Sequence, residues 1–175
     1  FIINKPCFAT SRGENMTEIE LDLSNYQFII VNPGIHVNTG WAFKQITPSF
    51  PAKSIQQIIH QPIESWKDEL INDFELPVTN QFPAIAEIKN QLYNLGAIYA
   101  SMSGSGSSIY GIFDKEINLK NNLFNEDQFV ILKKKIECVG INFKRIPATE
   151  GGPLRAGKDS FFGAIPIKEK RLLVD

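Results

Sequence analysis

The chain has 175 residues, 43% of them apolar and 21% charged, and a formal net charge of −1. That is one domain's worth on a scale of ~100–200 residues per domain, and it excludes a disordered tail, a collagen and a coiled coil. No run of about 18 apolar residues exists, so no segment reads as a membrane-spanning helix, and the near-neutral charge argues against a nucleic-acid partner.

Phe1-Ile2-Ile3-Asn4-Lys5 lacks the long apolar stretch of a secretion signal. It opens on apolar residues with no polar lead-in, which reads as a start inside an element, with a further segment expected upstream. Phe1 to Leu23 reads as two short strands. One runs through Phe8-Ala9-Thr10, the turn is at Arg12-Gly13-Glu14-Asn15, and Thr17 to Leu21 alternates polar and apolar. Tyr26-Gln27-Phe28-Ile29-Ile30-Val31 reads as a strand buried on both faces, stopped by Asn32-Pro33-Gly34.

Four short helices are expected next. Asn38 or Thr39 caps the first, which runs through Trp41, Ala42 and Phe43. Ser54 caps the second, with Ile55, Ile58 and Ile59 on one face and His60 at its end. The third holds Trp66, Leu70 and Ile71. The fourth takes Asn80 as cap and Pro83 in its first turn. Phe82, Ile85, Ile88, Leu92 and Leu95 form its apolar face, and Gly96 its C-cap.

Strands are expected at Ala97–Ser101 and Ser108–Phe113. In the second, Ile109, Gly111 and Phe113 alternate with Tyr110 and Ile112, so both faces can be buried. Phe129–Leu132 and Val139–Phe143 are weaker strand candidates, and beyond Pro147 no period is sustained. Lys133 to Asp175 carries ten basic and five acidic residues, against eight and fourteen before it, which suggests a boundary near residue 130. Antiparallel-looking strands with clustered helices point to an α+β sandwich.

Three loops can carry chemistry. Ser103-Gly104-Ser105-Gly106-Ser107-Ser108 joins two strands, and its amides and hydroxyls can cradle phosphate oxygens, although glycine-serine clusters also make plain hairpin turns. Asn32 to Phe43 runs from a buried strand's carboxyl end into a helix start. There Thr39 can cap or contact an anion, and Phe43 can fill the core or stack on a planar ring. Gly152 to Lys158 has a phosphate-loop skeleton, but Asp159 stands where Ser or Thr would hold magnesium. His36 and His60 have no obvious partners, no Gly-x-Ser-x-Gly elbow occurs, and Cys7 and Cys138 lack metal-ligand spacing. No catalytic residue and no metal site is therefore assigned. Two cysteines are also too few for a disulfide framework, which reads as a reducing, cytoplasmic setting.

Tyr99-Ala100-Ser101-Met102-Ser103-Gly104-Ser105-Gly106-Ser107-Ser108 resembles the third motif of the GHMP small-molecule kinases. Val31 to Phe43 narrows the resemblance to members that phosphorylate 4-diphosphocytidyl-2-C-methyl-D-erythritol, in the non-mevalonate isoprenoid route. Lys5-Pro6-Cys7-Phe8-Ala9-Thr10-Ser11-Arg12-Gly13-Glu14 is similar to the stretch that follows their catalytic aspartate. The resemblance covers about residues 1 to 120. It implies an α+β fold: residues 1–25 as the end of an amino-terminal kinase domain, 26–127 as a ferredoxin-like carboxy-terminal domain, and 128–175 as an unassigned basic tail.

It also implies ATP, with Mg2+, as cofactor and a small-molecule diphosphocytidyl-methylerythritol substrate. Thr39 and Phe43 match substrate-binding positions, Phe43 the one that stacks on cytosine. Ser103, Gly104, Ser105, Gly106 and Ser107 match the glycine-rich phosphate-loop motif. The family's lysine, ATP loop and catalytic aspartate stretch would all lie before Phe1, in an amino-terminal kinase domain that this chain would need as a partner. The chain alone is accordingly expected to be inactive. From about Gln128 onward the family's ending, a helix and a short strand, is not recognisable; an altered reading frame, a fusion remnant and a divergent tail all remain open. A non-catalytic nucleotide-binding α+β module is the rival reading, and a basic docking tail at Lys133–Asp175 a third.

Overall fold

The computed structural model describes residues 6–10, 14–47, 49, 51–117, 129–133, 142–144 and 159–162. Strands β1 (Cys7–Thr10) and β2 (Asn15–Glu18) form the expected antiparallel hairpin, with Cys7 opposite Glu18 and Thr10 opposite Asn15. The second strand stops at Glu18, short of Leu21. Its partner chain reaches Pro6, which has a carbonyl for the Ile19 N–H (3.0 Å) but no N–H to return, so the ladder ends there. Ile19, Leu21 and Leu23 then pack on the core.

Strand β3 (Gln27–Asn32) is one of two inner strands of a second sheet. Helix α1 (Thr39–Lys44) follows, and of the two expected caps Asn38 takes the role, its Oδ1 accepting the Trp41 N–H at 2.8 Å. Helix α2 (Ile55–Ile59) begins at a full capping box: Ser54 Oγ accepts the Gln57 N–H, and Gln57 Oε1 accepts the Ser54 N–H at 2.8 Å. A 3-10 turn, Ile63–Ser65, leads into α3 (Trp66–Glu69). Leu70 leaves the helical region at φ −89° and ψ 78°, so the helix ends before Ile71, which is 50% exposed rather than on the apolar face.

Helix α4 (Glu75–Gln81) is absent from the sequence reading, and it displaces the expected cap: Asn80 lies in its last turn. Pro77 looks like a breaker but sits in the first turn, where the missing N–H has no partner to lose. Helix α5 (Pro83–Asn94) starts from Phe82 with Pro83 at its first position, and it buries Ile85, Ile88 and Leu92 as the spacing predicts. It closes as a Schellman motif: Gly96, at φ 96°, donates to Tyr93 O, and Ala97 donates to Leu92 O.

Strands β4 (Tyr99–Met102) and β5 (Ile109–Phe113) are fully buried and antiparallel. Strand β6 (Phe129–Lys133) pairs with β3, Ile30 opposite Ile131. The order β4-β5-β3-β6, antiparallel throughout, is that of a ferredoxin-like α+β sandwich. Its fourth strand comes from beyond residue 127, inside the segment expected to be an unassigned tail. Strands β7 (Asn142–Lys144) and β8 (Asp159–Phe162) join β1 and β2 in the other sheet, in the order β2-β1-β8-β7. Of the expected Val139–Phe143 strand, only residues 142 and 143 are described. The Gly152–Lys158 loop and Cys138 lie outside the described residues.

The β3 sheet is buried on both faces. Ile29, Val31, Ala100, Met102, Ile109 and Phe113 meet α1, α4 and α5; Phe28, Tyr99, Tyr110 and Ile112 meet α2, the 3-10 turn and α3. The alternation expected for β5 divides its side chains between these two cores. The outer edge of β4 is occupied by side chains. Tyr93 Oη donates to Ala100 O and accepts from Ala100 N–H, both at 3.2 Å, and Glu75 Oε1 accepts the Met102 N–H at 2.7 Å. Glu75 Oε2 pairs with Lys89 at 2.6 Å, so its charge is balanced locally.

Candidate functional site

Register brings the two loops singled out in the sequence to one end of the sheet. Val31, near the end of β3, lies opposite Ile109 at the start of β5, and Met102 at the end of β4 lies opposite the same residue. The turn after β3 and the turn between β4 and β5 therefore emerge side by side. Residues 66 apart in sequence then touch: Thr39 Oγ1 and Ser105 Oγ are 3.0 Å apart in a hydrogen bond.

The Ser103–Ser108 turn is closed by its own backbone. Ser103 N–H donates to Ser108 O at 2.8 Å, and Gly106 N–H donates to Ser103 O at 3.0 Å. Gly104 and Gly106 adopt φ 58° and 92°, a region that side chains disfavour. A Cβ at Gly106 would also stand 2.8 Å from Met102 Sδ. Ser107 is buried, while Ser103, Gly104, Ser105 and Gly106 are partly exposed.

Thr39 opens α1, and Phe43 follows one turn later on the same face. Phe43 is half-buried and meets Phe74 edge to face, with ring centroids 5.0 Å apart at 85°. Phe43 is thus seated against Phe74 while part of the residue stays exposed.

A third segment, between α3 and α4, joins them. Asn72 Nδ2 donates to Met102 O at 2.7 Å and to Gly104 O at 2.8 Å, and its Oδ1 accepts the Phe74 N–H at 3.0 Å. Sequence reading missed this residue. Its one local signal was a polar residue just past Leu70 and Ile71, and only the tertiary contacts give it meaning.

Thr39, Phe43, Asn72 and Ser103–Ser107 carry no formal charge, so an anion here would be held by amide and hydroxyl dipoles. None of these side chains is a general base. Among the described residues no cluster of three or more His, Cys, Asp or Glu could hold a metal ion. In the core on the other face of the sheet, burial pushes the phenols of Tyr99 and Tyr110 far above their ordinary range, and Tyr99 donates to Leu70 O at 2.7 Å. No helix among the described residues is long and apolar enough to cross a membrane.

The family model described as GHMP kinases C terminal matches residues 53–126, a span that contains the Ser103–Ser107 turn and Asn72 but neither Thr39 nor Phe43. A 4-diphosphocytidyl-2-C-methyl-D-erythritol kinase of Azobacteroides pseudotrichonymphae is 52% identical over 116 residues, 66% of this chain and 43% of that protein. The Bacteroides thetaiotaomicron kinase of the same name is 50% identical over 116 residues, covering 66% of this chain and 42% of the relative. That of Parabacteroides distasonis is 41% identical over 130 residues, 74% and 48% of the two chains. The chain thus spans less than half the length of these relatives. A crystal structure of 4-(cytidine 5'-diphospho)-2C-methyl-D-erythritol kinase shares the fold, with a TM-score of 0.54 at 23% identity over 64% of this chain and 42% of that one. Fold and sequence together show that residues 53–126 of this chain are similar to the carboxy-terminal domain of the GHMP kinases.

Proposed function

We propose that this chain is the carboxy-terminal part of an ATP-dependent kinase that phosphorylates a hydroxyl of 4-diphosphocytidyl-2-C-methyl-D-erythritol, a step of non-mevalonate isoprenoid precursor synthesis in the cytoplasm. The relatives bear that substrate in their names. The observation that carries the reading is the Thr39–Ser105 hydrogen bond, because it joins the cytosine-side helix and the glycine-serine turn into one site.

In this reading Phe43 stacks on the cytosine ring, and Thr39 contacts the substrate beside it. The Ser103–Ser107 turn faces the phosphates with backbone amides and hydroxyls. Phosphoryl transfer depends mainly on positioning and charge stabilisation, and these residues supply orientation. The aspartate base and the lysine implied by the family resemblance have no counterpart at Thr39, Phe43 or Ser103–Ser107. Their source is an amino-terminal kinase domain, which also provides most of the ATP site. In this reading Mg2+ accompanies the ATP.

Titration calorimetry with cytidine 5'-diphosphate tests the reading. Stacking a base on an aromatic ring is worth about 1–3 kcal/mol by alanine substitution, so Phe43→Ala should weaken binding about tenfold or more. Thr39→Val should weaken it less, while the wild-type chain turns over no ATP. Equal affinity for wild type and Phe43→Ala would remove the cytosine assignment. ATP-dependent phosphorylation by the chain alone would remove the division of labour.

A further inference from the structure

We infer that Asn72 is the positioning residue of this site: its carboxamide holds the Ser103–Ser107 turn and the Phe43–Phe74 aromatic wall in one fixed relation. Asn72 is only 2% exposed. A carboxamide has two N–H donors and one acceptor oxygen, and here all three functions are engaged. The donors reach Met102 O, at the end of β4, and Gly104 O, within the turn. The acceptor takes the Phe74 N–H, and the Phe74 ring meets Phe43. A flipped amide would aim its oxygen at two carbonyl oxygens, so the partners fix its orientation.

The turn needs such an anchor. Gly104 and Gly106 both sit at positive φ, and a glycine-rich segment has many other conformations to visit. Ordering a loop at the moment of binding weakens the binding. Asn72 imposes that order beforehand from one side, and Glu75 helps by taking the Met102 N–H. Asp at this position would keep an acceptor for Phe74 but lose both donors to the turn. Gln would be a methylene too long. The role deepens the proposed function and rests on it only where a ligand is used.

The test compares the 175-residue chain with its Asn72→Asp and Asn72→Ala variants. Losing a buried hydrogen-bond pair should speed amide hydrogen exchange across Gly104–Ser107 about tenfold, with Ile88 and Leu92 in α5 unchanged. Cytidine 5'-diphosphate should bind about tenfold more weakly to Asn72→Asp, and cytidine, which lacks the phosphates, equally well. Unchanged exchange in the turn, or equal loss for both ligands, overturns the inference. Failure of the wild-type chain to bind either ligand would overturn the proposed function instead, and the exchange result would still decide the role of Asn72. Should both variants fail to fold, the wild type decides. One opening of the turn frees the Asn72 side-chain amide and the Gly106 N–H together, so the two should show matching protection factors once each rate is divided by that group's intrinsic rate; unrelated protection factors overturn the inference.

Discussion

Gly106 combines two constraints, a φ of 92° and a Met102 sulfur 2.8 Å from where a Cβ would stand. Methionine is flexible enough to move aside, but the backbone cannot change region without breaking the Gly106–Ser103 hydrogen bond. Gly106→Ala should therefore cost about 2 kcal/mol, read as a lower midpoint in chemical denaturation. An unshifted midpoint would mean that the turn is not held in this conformation. At this scale the sequence was informative about identity and silent about connection. Ser103, Gly104, Ser105 and Gly106 were recognisable as a turn with exposed polar groups, and Asn38 or Thr39 as a cap. That Thr39 meets Ser105 was not legible, since no local pattern encodes a contact across 66 residues. Asn72 was illegible for the same reason.

Helices and strands were legible where the apolar spacing was long or the cap chemistry complete. Ser54 with Gln57 fixes the start of α2, and Ile85, Ile88 and Leu92 define the inner face of α5. Helix α4 was hidden because its Pro77 reads as punctuation, and Asn80 was misplaced as a cap in consequence. Packing between elements also sets a pH limit. Tyr99 on β4 and Tyr110 on β5 lie with ring centroids 6.0 Å apart in the core that faces α3. Burial raises both phenols above their ordinary value, so the fold favours their neutral forms. The stability this contributes is complete below the unfolded tyrosine value of about 10 and is lost as pH rises through the folded values. Stability should fall steeply above about pH 10, and tyrosinate absorbance from these two residues should appear only together with loss of far-ultraviolet circular dichroism. Their smooth ionisation in a folded chain would contradict the packing.

For the whole molecule, the α+β class followed from the mixture of elements and its ferredoxin-like form was implied by the family resemblance, but which stretch supplies the fourth strand followed from neither. Strand β6 lies where the charge balance shifts, and the shift suggested a boundary. Pairing is a different kind of fact: Phe28 to Asn32 of β3 run opposite residues 133 to 129. A chain ended at residue 127 would leave β3 as an edge strand bearing Phe28, Ile29 and Val31. Unpaired apolar edges promote association, so that truncation should be larger than a monomer by light scattering at concentrations where the 175-residue chain is not. Identical scattering from both chains would show that β6 does not protect the sheet.

The opposite edge of the same sheet carries a different consequence. An extended peptide that tried to lengthen the sheet beyond β4 would find its outward amides and carbonyls at Ala100 and Met102 already engaged by Tyr93, Glu75 and Asn72. To lay down a new strand it would have to evict all three side chains, separate Glu75 from Lys89 and release the glycine-serine turn. This side of the domain is therefore sealed against strand exchange in part by Asn72 and Glu75, the groups that anchor the glycine-serine turn.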